Sequence, residues 1–139
     1  MTEFPDIHDG QYLWIEKQRR DARQAAMLKW AHETFGGIEN FDPCSVDERA
    51  RRFLEEAIEL CQAVGVTREQ ADTVADYVYG RETGKPFQEI GGVMVTLNCL
   101  AEVLGESVCK AEIAEFERVQ SKSKAHFEAR HRAKMEVGL

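Results

Sequence analysis

The sequence predicts an all-α protein, a helical bundle of four main helices plus a shorter helix, in a single domain spanning residues 1–139. Three observations lead there. No segment keeps the period-two alternation of a half-buried strand between turn residues. Helix start and stop signals recur along the whole chain. A hydrophobic content of 43% suffices for one core at this length.

The first helix is expected from near Gln11 to Phe35, in one or two pieces, stopping at Gly36-Gly37. Asn40-Phe41-Asp42-Pro43 then reads as a turn. Ser45-Val46-Asp47-Glu48 is a capping box, in which the serine oxygen and the glutamate three residues on satisfy amide hydrogens that have no helical partner. It opens a second helix to about Val64, ended by Gly65. Thr67-Arg68-Glu69-Gln70 repeats the box and opens a shorter third helix to about Tyr79. After a polar loop from Gly80 to Lys85, Pro86 suits the first turn of a fourth helix, where its missing N–H costs nothing. That helix should run to Leu104 and stop at Gly105, and Ser107 should cap the fifth.

Composition excludes several classes. No apolar run reaches the length of about 18 residues that marks a spanning helix, and Glu3, Asp6 and Asp9 are unlike a secretory leader, so a cytoplasmic protein with no membrane partner is expected. Cys44, Cys61, Cys99 and Cys109 contain no C-x-x-C pair, and three of them lie in apolar helical stretches as small hydrophobes do. A net charge of -7 argues against a protein that grips a nucleic acid polymer by neutralising phosphates. Residues 120–134 nevertheless hold five basic side chains, Lys122, Lys124, Arg130, Arg132 and Lys134, against Glu128 alone. That strip is either a solvated terminal face or a surface for a small anion or an acidic neighbouring subunit.

The second helix carries the most informative pattern. Phe53, Leu54, Ala57, Ile58, Leu60, Cys61 and Val64 share one side, and Glu55, Glu56 and Glu59 share the other. Clustered carboxylates repel by a few tenths of a kcal/mol per pair, so they call for cations. Mg²⁺, which takes oxygen ligands and keeps positions for water and phosphate, is one answer. Arg51 and Arg52, pairing with Glu55 and Glu56 at i, i+4, are the other.

The fourth helix is apolar around most of its circumference and is expected to be central and buried. Glu89 sits in that apolar surface and would need a cation, a donor or access to water. Gly91-Gly92 follows, each glycine costing about 1 kcal/mol relative to alanine within a helix. With Thr96 and Cys99, Gly92 makes a narrow line of small residues that permits close approach of a ligand or another helix.

Together, Glu55-Glu56-Ala57-Ile58-Glu59-Leu60 and Glu89-Ile90-Gly91-Gly92-Val93 resemble the paired acidic motifs, E-E-x-x-E and E-x-x-D, of the MazG-like all-α nucleotide pyrophosphohydrolases. The resemblance covers roughly residues 49–105. It implies a homodimer or homotetramer that hydrolyses an NTP or dNTP to the monophosphate and pyrophosphate with Mg²⁺, or Mn²⁺ in its place. By the same resemblance Glu56, Glu59 and Glu89 match metal ligands, and Glu55 matches the glutamate that ligates metal or orients the attacking water. Metal would offset charge on the attacking and leaving oxygens.

Gly92 stands where the family has aspartate. Three consequences are open: fewer metals, substitution by Asp72 or Asp76 of the third helix, or a non-catalytic nucleotide-binding oligomer. Lys85, Lys122, Lys124 and Arg130 are candidates for phosphate contacts, and Trp30 and Tyr79 for stacking on a base, although aromatics on amphipathic helices more often belong to the core. Glu128-Ala129-Arg130-His131 supplies one E-x-x-H, whereas a di-iron bundle needs that motif on two helices. His8, His32 and His126 have no ligand-like spacing and are read as surface or capping residues.

Overall fold

A computed structural model describes residues 10–139. Within them the chain is all-helical, with six helices and no strand: α1 (Gly10–Phe35), α2 (Val46–Ala63), α3 (Arg68–Tyr79), α4 (Pro86–Leu104), α5 (Val108–Gln120) and α6 (Lys124–Glu136).

The helix ends follow local chemistry. α1 is one uninterrupted helix, and Gly37, at φ +86°, takes the left-handed turn after it. The Ser45 Oγ accepts the Glu48 amide at 3.2 Å at the start of α2. At its end Val66 N–H reaches the Cys61 carbonyl at 3.0 Å across Gly65, which has φ +93°. Both halves of the Thr67 capping box are made. Pro86 occupies the first turn of α4, and Gly105, at φ +70°, closes it with Glu106 N–H donating to the Ala101 carbonyl at 2.9 Å.

The helix count departs from the expected four plus one. The segment after Ser107 is two helices, because Ser121 ends α5 with its hydroxyl donating to the Arg118 carbonyl at 2.6 Å, and Ser123 caps α6 by accepting the His126 amide. A serine can recruit the backbone at either end of a helix, so Ser121-Lys122-Ser123 stops one helix and starts the next.

The chain divides into two compact units. One comprises the chain up to Glu48 together with Lys122–Leu139; the other is Arg49–Ser121. In the first, α1 and α6 pack together through rings: Phe127 lies 5.7 Å from Trp30 and 5.2 Å from Phe35, both edge-on, and Phe35 meets Phe41 at 6.3 Å. Edge-to-face contacts of this kind are the favoured geometry for aromatic pairs. The Lys124 ammonium donates to the Gly36 carbonyl at 3.3 Å, a cation placed at the C-terminal end of α1.

In the second unit α4 packs on α5. The covered stripe of α4 is Met94, Leu97, Leu100 and Ala101, spaced along one helical face. The expected burial of α4 is corrected: of its residues only Ala101 is buried, and Val95 and Val103 are 65% and 85% exposed. The apolar side of α2 is likewise open, with Phe53, Leu54 and Ile58 each more than half exposed. Periodicity identifies these faces as apolar but does not say what covers them.

Candidate functional site

The carboxylates of α2 lie on its charged arc, and the first of them is the least open to solvent. Arg52 donates to Glu55 at 2.6 Å, with the two side chains only 19% and 24% exposed. The i, i+4 spacing predicts Arg51 with Glu55 and Arg52 with Glu56; Arg52 instead reaches Glu55 at i, i+3. It makes Glu55 an ion-pair acceptor. Glu56 acts on α5: the Arg118 guanidinium is held charged beyond its ordinary range, first by its hydrogen bond to Glu115, then by that carboxylate's charge, with burial opposing and Glu56 adding a smaller pull. Arg118 grips Glu115 with two bonds of 2.8 and 2.6 Å. Sequence reading missed Arg118 and Glu115 as neighbours of the acidic cluster; the signal was Glu112, Glu115 and Arg118 at i, i+3 steps along one face of α5.

Glu89 is exposed at the start of α4, so it reaches water and needs no buried partner. Its carboxylate folds back over Gly84, where a Cβ would collide with it. Asp72 is held by Arg68, whose Nε donates to both carboxylate oxygens at 2.9 and 3.0 Å on the surface of α3. Asp76 is exposed, and its backbone carbonyl takes the Gly80 amide at 3.0 Å. A cavity of about 420 Å³ opens between α2, α4 and α5, lined by Leu60, Leu97, Leu100, Leu104 and Val108, with Glu112 and Glu115 also on its wall. None of Glu55, Glu56, Glu59 and Glu89 lines it.

Among the described residues no three or more His, Cys, Asp or Glu side chains are grouped to hold a metal ion. The ligand set suggested by Glu56, Glu59 and Glu89 is therefore not assembled within a single chain, and Glu55 is occupied by Arg52. At Gly92 an added Cβ would meet nothing within 4 Å, so packing within the chain does not exclude a larger residue there.

The candidate substrate contacts divide between the two units. Lys85 is the N-cap residue of α4 and makes no side-chain cap, and Tyr79 stands 88% exposed at the end of α3. Lys122, Lys124, Arg130 and Trp30 belong to the unit of the chain ends. Trp30 is committed to its contacts with Phe35 and Phe127, each at 5.7 Å, so it packs among rings rather than standing open to a base. His131 is stacked obliquely on Phe41 at 4.2 Å, and His32 approaches the Cys44 sulfur at 3.8 Å. His8 lies outside the described residues.

No protein-family model matches the chain, and no match to it was found among curated proteins or among solved structures.

Proposed function

We propose that this chain is a Mg²⁺-dependent nucleoside triphosphate pyrophosphohydrolase of the MazG-like kind, converting an NTP or dNTP to the monophosphate and pyrophosphate. The reading is supported by one observation above all: a glutamate triad on one arc of α2 is followed, on a second helix of an all-helical chain, by Glu89 in its first turn. That order is the order of the family's acidic motifs. Glu56, Glu59 and Glu89 are the proposed ligands, Glu55 the proposed catalytic carboxylate, and Mn²⁺ the expected replacement metal. For Glu55 to orient water, its contact with Arg52 has to open.

A second reading has its own support. Gly92 removes the fourth acid, and the remaining carboxylates are not gathered into a group of three. A nucleotide-binding helical oligomer without turnover fits those two facts.

Pyrophosphate release from a panel of NTPs and dNTPs, with Mg²⁺ and with Mn²⁺, separates the two. Turnover by the intact chain, falling on the order of a hundredfold in Glu56→Gln, is the expected result for loss of one charge-stabilising group. If every nucleotide survives with both metals, the hydrolase reading is overturned, and calorimetric titration of the same nucleotides then tests binding.

A further inference from the structure

The turn between α1 and α2 brings an imidazole to a thiol. His32 lies in the last turn of α1, and its Nδ1 is 3.8 Å from the Cys44 Sγ, with both residues exposed. Of the four cysteines Cys44 is the only one outside a helix. It is also the only one in the unit of the chain ends, since Cys61, Cys99 and Cys109 belong to Arg49–Ser121. The proposed pyrophosphohydrolase chemistry uses neither Cys44 nor His32.

The backbone is anchored on both sides of the contact. His32 is carried by the end of α1, which packs through Phe35 on Phe127 at 5.2 Å. Across the turn, Phe41 meets the Phe35 and His131 rings at 6.3 and 4.2 Å. Pro43 is buried, and Ser45 caps α2 directly after Cys44. Thiol and imidazole therefore meet by side-chain rotation alone, and little ordering remains to be done when the sulfur reacts. The nearby charges are of both signs. The Lys124 ammonium sits on the Gly36 carbonyl at 3.3 Å, one turn beyond His32, while Asp42 Oδ1 is engaged by the Cys44 amide at 2.9 Å.

A thiol attacks as its thiolate, and a base within hydrogen-bond reach makes the thiolate available. Exposure lets a small oxidant reach the sulfur. We infer that Cys44 and His32 form a site of oxidation by hydroperoxides. In the tautomer that carries its proton on Nε2, the His32 Nδ1 takes the thiol proton. The sulfur attacks one peroxide oxygen, so an S–O bond forms as the O–O bond breaks. His32 returns its proton to the departing hydroxide, which leaves as water. Cys44–SH and H₂O₂ thus give Cys44–SOH and H₂O, with the sulfur oxidised by two electrons and the peroxide reduced. With no second cysteine in its unit, the sulfenic acid finds no partner there for a disulfide. A small thiol can close it instead, giving a mixed disulfide and water. The inference does not rest on the pyrophosphohydrolase reading, and its test uses neither nucleotide nor metal.

The reduced full chain is treated with hydrogen peroxide, sulfenic acid is trapped with dimedone, and each cysteine is followed by peptide mass spectrometry. Cys44 should form the adduct at least about tenfold faster in the folded chain than in the same chain unfolded in urea, a modest share of what a positioned acid–base group supplies. His32→Gln should bring the folded rate down to the unfolded one while Cys61 keeps its rate. Should that variant misfold, the folded-to-unfolded ratio of the native chain decides. A Cys44 no faster folded than unfolded overturns the inference, and so does a folded His32→Gln chain in which Cys44 keeps the native rate. Fast alkylation of Cys44 by iodoacetamide with no gain toward peroxide also overturns it, because iodide leaves without a proton and hydroxide does not.

Discussion

The two compact units differ in what their best-patterned apolar residues meet. In the unit of the chain ends, Phe127 of α6 is placed between Trp30 and Phe35 of α1, so rings from distant parts of the sequence cover one another. In the unit Arg49–Ser121, Phe53, Ile58, Val95 and Val103 meet solvent although their helices are the better defined by pattern. Hydrophobic patterning thus specifies which face is apolar, whereas the ring cluster of α1 and α6 is covered by residues distant in sequence and the open face of α4 is not.

The largest expected effect is on the ring cluster. Phe127→Ala should cost about 2–3 kcal/mol, below the full 3–5 for a completely buried ring because Phe127 keeps some exposure. The loss should appear as a lower midpoint in urea unfolding, equal at dilute and concentrated protein. Phe53→Ala instead removes a ring that is already more than half exposed, so the loss read from urea unfolding should be no more than about 0.5 kcal/mol. If both variants lose stability equally, the contrast between the units is wrong.

A smaller effect is expected at a local site that either account of the units shares. Thr67→Ala removes the side-chain half of a complete capping box and should lower stability by about 1 kcal/mol, with circular dichroism showing the loss confined to a short helix. A loss several times larger would mean that α3 is held by contacts beyond its own turn. Smallest of all is Arg68→Ala. Its pair with Asp72 is fully open to water, which screens it, so the unfolding midpoint should not move measurably. A clear shift would show that Asp72 belongs to a coupled charge network rather than to one surface pair.

Much of the candidate site was legible in the sequence because it is helical arithmetic. Glu55, Glu56 and Glu59 had to share an arc of α2, and an arginine within a turn had to compete for one of them, as Arg52 does for Glu55. Glu89 was placed correctly in the first turn of α4 but was read into an apolar surroundings; its carboxylate lies over Gly84 in water. Arg118 and Glu115 were missed because their approach to α2 depends on how α5 docks, which spacing within α5 does not encode. The fate of Trp30 was likewise set by a partner nearly a hundred residues away, Phe127.

The sequence by itself determined the all-helical class and nearly every helix end, because caps and left-handed glycines act on amides and carbonyls within a few residues: Thr67 at the start of α3, Gly65 after α2, Gly105 after α4. It also determined which faces are apolar. The break at Ser121-Lys122-Ser123 was local too, but one serine type serves both helix ends and its reading was ambiguous until α5 and α6 were seen to part there. Only the tertiary structure decided that α1 and α6 close over their rings, while the Val95 and Val103 side of α4 remains outside the chain's own packing. The physical reason is range: a cap is satisfied within one turn, whereas burial is decided by whichever surface arrives from elsewhere.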